Sequence, residues 1–298
     1  MSFKRLEADD FVISADAITA PLWTGNNPTL TQFFTSSVQA AGSTGVYYLS
    51  VYQTGSALAG AEVQFDVIYG NKLGSGSTLY NTAVEGKSPT STIYGQYRTL
   101  VNGDENTDFD FGGVTVTEFY GISVSRNRYK ESLFPGSLTL TLRSGSNTLT
   151  LTDNSQVTST IVFKDAGRVF QLVSGSAGSV NTSKTSTGYT VGSGSYGWFL
   201  PDIGTILLNP AALTSSVADG GMAFNTNRAS NTNTNNQWAL ASAISGGASF
   251  TLNSQETITS DYIFVRPRSS EFNYSENPSF ISGSTGDAIS PRLDGKTP

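Results

Sequence analysis

Ser137-Leu138-Thr139-Leu140-Thr141-Leu142, followed by Gly145-Ser146-Asn147 and then Thr148-Leu149-Thr150-Leu151-Thr152, is the stretch on which the fold turns. Leucine and a hydroxyl residue alternate with period 2, which places three leucines on one face of a strand. The Gly-Ser-Asn step then reverses the chain into a second strand of the same pattern, so the segment reads as a β-hairpin. The same texture extends in both directions. Tyr47–Tyr52, Ala61–Tyr69, Val114–Thr117, Tyr120–Val124, Ile161–Phe163, Val169–Val173, Tyr189–Val191, Tyr196–Leu200, Thr205–Leu208, Phe250–Leu252 and Tyr262–Arg266 are all short runs of β-branched and aromatic residues bounded by turn signals. Three places suggest short helices: Thr29–Ala41, with Leu30, Phe33, Phe34 and Val38 on one face, the start at Asn209–Leu213, and Trp238–Ile244. The expected fold is mainly β: an antiparallel β-sandwich or barrel-like core with an extended N-terminal arm, a few short helices and long loops. The expected segments are an arm and lead-in over residues 1–45, a main β domain over 46–215, and an Asn/Thr-rich loop, C-terminal β segment and tail over 216–298. A single domain spanning all three is the alternative.

Composition prunes the chemistry. The 298 residues include no Cys and no His, so disulfides, thiolate nucleophiles, Cys- or His-ligated metals and His-dependent triads are excluded. Charged residues make up 13%, about half the usual share of a soluble domain, while aromatics reach 11%. Two readings fit: a surface largely covered by other chains, since interface cores are poor in charge and rich in aromatics, or a neutral Ser/Thr-coated extracellular β-protein. The net charge of −6 and the lack of a basic stripe argue against direct nucleic-acid binding. No apolar run approaches the ~20 residues of a membrane helix. The charged opening Met1–Asp10 does not read as a secretory signal, and with it the absence of cysteine fits synthesis in the cytoplasm.

Few constellations suggest a site. Asp104, Asn106, Asp108 and Asp110 place oxygens at alternate positions, as a Ca²⁺ loop would, but Phe109 and Thr115 stand where an EF-hand needs Gly and Glu. A solvated acidic turn is the better reading. Asp66, Glu118 and Asp202 are candidate carboxylates for His-free glycoside hydrolysis, with nothing in the sequence to pair them. The Gly-Ser runs at 74–77 and 192–195 read as turns. Arg126-Asn127-Arg128-Tyr129-Lys130 is the one basic cluster, a solvated strand end or a partner for an acidic neighbour. Tyr94 and Tyr97 suit either sugar stacking in a carbohydrate-binding module or core and interface packing. The expectation is therefore no catalytic residue, no cofactor and no metal.

Several segments carry a resemblance. The opening Met1–Val12, the run Tyr120–Glu131 with Phe134-Pro135-Gly136 after it, Arg168–Ser176, Tyr196–Gly204 with Ile206–Leu208, and Glu271–Phe280 together resemble structural proteins of T4-like myoviruses that infect cyanobacteria. The resemblance implies a non-enzymatic virion building block, located in the tail baseplate first, then the neck, then the head. Its implied partners are other tail and baseplate proteins and further copies of the same chain in a symmetric assembly, with neither nucleic acid nor membrane. Phe3, Phe11, Leu22, Trp23, Arg126, Arg128 and Tyr274 are the candidate subunit contacts. The arm is expected to dock on neighbours, so that removing residues 1–24 leaves the β-core folded. The alternative is that it closes this chain's own core.

Overall fold

The computed structural model describes residues 11–39, 47–76, 88–181, 195–230 and 235–264. The chain is mainly β, as the alternation predicts. Its strands are β1 (Phe11–Pro21), β2 (Thr29–Leu30), β3 (Phe34–Thr35), β4 (Tyr48–Tyr52), β5 (Val63–Asn71), β6 (Phe109–Phe111), β7 (Val114–Val116), β8 (Glu118–Val124) and β9 (Ser132–Leu133). They continue with β10 (Thr139–Ser144), β11 (Asn147–Asp153), β12 (Val162–Lys164), β13 (Gly167–Ser176), β14 (Ser179–Val180), β15 (Gly197–Leu200), β16 (Thr205–Leu208), β17 (Phe250–Thr251) and β18 (Asn253–Ile263). The α-helices are α1 (Pro89–Asn102), α2 (Pro210–Thr214) and α3 (Asn236–Gly247).

Contacts divide the chain into residues 17–257 and a second unit made of 1–16 with 258–298. These limits differ from the expected breaks at 45 and 215. Leu22, Trp23 and Leu30 before the first break, and Leu240 and Ile244 beyond the second, share one core with the central strands.

The hairpin that opened the reading is β10–β11. Ser144 pairs with Asn147, leaving the two-residue loop Gly145-Ser146. Gly145 has φ +59 and Ser146 has negative φ, the glycine-first arrangement whose twist matches the flanking strands. Leu140 and Leu142 face Leu151 and Leu149 across the ladder, all buried.

β10–β11 lies in a sheet running β2-β17-β10-β11-β13-β15-β16-β8-β5-β4-β3, with β12 and β14 also on β13. Among the described residues its strands pair antiparallel throughout. The two end strands, β2 and β3, are separated in sequence only by Thr31–Phe33. Four Cα steps span at most about 15 Å, so the ends of the sheet must stand close together and the sheet must curl into a barrel-like wall. Alternation then sorts its side chains. Phe65, Val67, Tyr69, Tyr120, Ile122, Val124, Ile206 and Leu208 point to the inner core, which α3 fills. Ile68, Phe119, Leu207, Trp198 and Leu200 point outward beneath α1 and the β6–β7 hairpin. The sheet is thus buried on both sides where β5, β8, β16 and β15 run, which explains the loss of alternation there.

Two differences from the sequence reading stand out. Thr29–Ala41 is not a helix where described: β2, β3 and a 3-10 turn at Ser37–Gln39 replace it. Leu30 pairs with Phe250, and the Thr29 and Thr251 hydroxyls meet at 2.7 Å. Val38, assigned to the apolar helix face, is 79% exposed. Pairing with a strand 220 residues away outweighs a weak local helix pattern. Conversely, the helix α1 was not read from the sequence, because Thr, Ser, Gly and Tyr dilute its apolar period. Ser88 starts it, with its backbone N–H donating to Ser91 Oγ at 3.3 Å and Pro89 at the first turn. The α2 and α3 expectations hold, α3 being longer. The Tyr189–Val191 strand and the far end of the Tyr262–Arg266 strand lie outside the described residues.

Candidate interaction surface

The feature that stands apart is a pair of strands whose side chains lack cover. β1 pairs with β18, and β18 with β9 over only Ser254–Leu133 and Gln255–Ser132. In the unit formed by the terminal segments, Phe11, Val12 and Ile13 on β1 and Ile258, Tyr262, Ile263 and Phe264 on and just after β18 are all exposed, from 41% at Phe11 and Ile258 to 64% at Phe264. Consecutive residues of a strand point to opposite faces. Phe11, Val12 and Ile13 therefore put apolar groups on both faces of β1, and Tyr262 with Ile263 does the same for β18. A two-stranded ribbon without a packed face is marginal in water, and contiguous exposed apolar surface marks an interaction site.

Of the residues named as subunit contacts, Phe11 belongs to this surface. Phe3 and Tyr274 lie outside the described residues. Leu22 and Trp23 are corrected: both are 2% exposed. Trp23 packs against Phe250 (4.8 Å between ring centroids) and Phe65 (6.0 Å), and its Nε1 donates to the Phe250 carbonyl at 2.8 Å. They close the chain's own core, the alternative reading of the arm. Arg128 is committed internally, donating to Glu62 at 2.6 Å and Thr24 Oγ1 at 2.5 Å. Glu62 also accepts from Thr24 Oγ1 at 2.9 Å, and that hydrogen bond first, then the charge and hydrogen bond of Arg128, hold its carboxyl below the usual range. Arg126 is exposed, yet it lies 4.5 Å over the Tyr129 ring and donates to the Tyr129 and Lys130 carbonyls, both at 2.5 Å.

The three acids singled out for hydrolysis have separate structural partners. Asp202 takes a two-pronged contact from Arg168, the shortest at 2.5 Å, plus the Arg168 backbone N–H. Glu118 accepts from Arg228 at 2.7 Å and from the Tyr69 hydroxyl at 2.5 Å. This contact, with Asn236 Nδ2 donating to the Arg228 carbonyl, ties the start of the Asn/Thr-rich segment to the barrel wall. Asp66 accepts from Ser50 Oγ at 2.7 Å, and burial pushes its carboxyl up against that hydrogen bond. In the acidic turn, Asp104 caps Asn106 and Thr107, and Asp110 accepts from the Gly113 N–H. Asp108 faces inward to Lys72 (2.8 Å), Tyr94 (3.1 Å) and Arg98 (3.5 Å). Burial alone would raise the Asp108 carboxyl, but these three donors hold it below the ordinary range. Tyr94 and Tyr97 pack at a tilt against this chain's Phe119 at 5.9 and 5.6 Å, Tyr94 buried and Tyr97 half-buried, which fits core packing rather than an open sugar platform.

No family model, curated protein or solved structure matches the chain. The sequence marks Phe11 as a contact and Tyr262–Arg266 as a strand, but nothing in it joins the two. The available signal was two or more consecutive apolar residues in strands with no long turn-bounded neighbour to cover the second face. Among the described residues, no helix is long and apolar enough to cross a membrane.

Proposed function

We propose that this chain is a non-enzymatic structural subunit of a contractile phage virion, built into the tail baseplate through contacts with other tail proteins and with copies of itself. The observation that carries the assembly role is the β1–β18 ribbon, whose apolar residues face solvent on both sides. Such a ribbon gains its stability when a neighbour covers it. The low charge of the sequence points the same way, because a subunit touching several neighbours at about 800 Å² each keeps little bare surface. The commitment of Asp66, Glu118 and Asp202 to separate internal partners also favours a structural role over carboxylate chemistry. The placement in a phage tail rests on the resemblance of the segments at 1–12, 120–136, 168–176, 196–208 and 271–280. A density map of the intact particle tests it directly. The expected result is this chain traced in the baseplate with its ribbon covered, and a particle that lacks the chain overturns the proposal.

A further inference from the structure

We propose that the cavity between the end of β10 and α3 binds a carboxylate carried on a short apolar body, with Arg143 as its counter-ion. This goes beyond the assembly reading and does not rest on it. The cavity holds about 420 Å³, within the range of pockets that take small ligands. Phe224, Ala239 and Ala243 give it an apolar lining, which Arg143, Ser144 and Ser242 complete. Phe224 is held in place: its ring lies 5.5 Å from that of Tyr120, and the N–H groups of Met222 and Phe224 both donate to the Leu213 carbonyl. A Cβ on Gly246 would lie 3.4 Å from the Arg143 Cβ, so the arginine stem starts against α3 at the cavity wall.

Charge selects the ligand. Lys72, Arg98, Arg128, Lys130, Arg168 and Arg228 each pair with a carboxylate. Arg126 and Lys164 lie over the rings of Tyr129 and Trp198. Among the described residues Arg143 is the remaining cation. It uses only Nε, donating to the Gly145 carbonyl at 2.9 Å, and its two terminal nitrogens meet no acceptor among those residues. The Ser144 and Ser242 hydroxyls also make no hydrogen bond among the described residues. An unpaired arginine stands out in a chain whose net charge is −6. The guanidinium fork matches the two oxygens of a carboxylate, and the hydroxyls add donors beside it. One cation balances a singly charged carboxylate but not a phosphate. The apolar lining then accepts the carbon body that a bare anion lacks.

Phenylacetate, titrated into the full-length chain with its alanine methyls isotope-labelled for NMR, is expected to shift the Ala239 and Ala243 signals with a Kd of about 1 mM or tighter. Phenylacetamide, the same body without the charge, should bind at least tenfold more weakly. Arg143→Gln should weaken phenylacetate binding at least tenfold, and Arg143→Lys by less, because the charge remains while the fork is lost. Ser242→Leu, a change at an exposed position of the cavity lining, should block binding while leaving the circular dichroism spectrum unchanged. The peptide acetyl-Gly-Gly-Phe with a free terminal carboxylate separates the sources of the carboxylate. Tighter binding than phenylacetate supports the chain end of a neighbouring protein, and weaker binding supports a free organic acid. Equal affinity for acid and amide, undiminished binding by Arg143→Gln, or no saturable shift at about ten times the expected Kd overturns the site.

Discussion

Phe65 on β5 and Phe250 on β17 meet edge to face at 5.4 Å between ring centroids, although six strands lie between them in the sheet order. In a flat sheet the seven intervening steps would hold them about 34 Å apart. Their contact, wedged by Trp23, is what the curl of the sheet accomplishes. It also explains why a residue of the supposed arm lies at the centre of the molecule's core.

The two rings should be energetically coupled. Phe65→Ala and Phe250→Ala are each expected to cost about 3–5 kcal/mol. The double variant should cost less than the sum by about 0.5–1.5 kcal/mol, the scale of an aromatic pair. Urea unfolding of the four proteins measures the cycle, and strict additivity would mean that the rings do not touch.

Truncation should separate arm from core at Asp16 rather than further in. A chain lacking residues 1–16 retains Leu22, Trp23 and the Trp23-to-Phe250 hydrogen bond, and is expected to keep a cooperative unfolding transition. Removing residues 1–24 deletes a core tryptophan and leucine, a loss of at least 3–5 kcal/mol from the tryptophan alone. Its thermal transition should fall sharply or vanish. Equal stability of the two truncations would contradict the placement of Trp23.

Two carboxylates predict opposite responses to acid. Asp108 is held below its ordinary range, so its stabilisation is present above about pH 4 and drains away as pH falls through its folded value. Asp66 is raised by burial, so its charged form costs stability at neutral pH, and the cost disappears as pH falls through its raised value. Asp108→Asn should therefore be less stable than the parent at neutral pH and converge with it in acid. Asp66→Asn, which keeps an acceptor for Ser50, should be more stable at neutral pH and also converge in acid. Urea midpoints followed from neutral to acid pH read both signs.

Two glycines in helices should respond in opposite directions to the same change. Gly247 ends α3 where a Cβ would lie 1.9 Å from the Thr141 carbonyl oxygen of β10, so Gly247→Ala must push the helix off the sheet. A loss of about 2–3 kcal/mol is expected. Gly95, inside α1, has nothing within 4 Å of its Cβ position, so Gly95→Ala should stabilise by about 0.5–1 kcal/mol. Denaturant midpoints for the two variants should shift in opposite directions.

Reading the residues in order recovered what neighbours along the chain decide. The β10–β11 hairpin was legible because leucine alternation, a glycine turn and the partner strand all lie within fifteen residues. The α2 and α3 helices were legible for similar reasons. The α1 helix was hidden because its apolar residues are sparse and only its packing over Phe119 and Phe109 reveals a buried face. The ribbon was half legible: Phe11 and the Tyr262–Arg266 strand were visible, but β1 and β18 pair across more than 230 residues of chain.

By itself, then, the sequence determined the class: a strand-rich chain without cysteine or histidine, low in charge, with its turns in place. Period and turn chemistry are properties of adjacent residues and need no partner. The tertiary structure decided which edges met: that Leu30 would pair with Phe250 instead of turning into a helix, that Trp23 would plug the seam, that Arg128 would be tied to Glu62, and that the apolar faces of β1 and β18 would stay open. Any strand edge offers the same backbone donors and acceptors. The choice among them is made by which side chains the closed sheet buries together, and that sum exists only once the chain has folded.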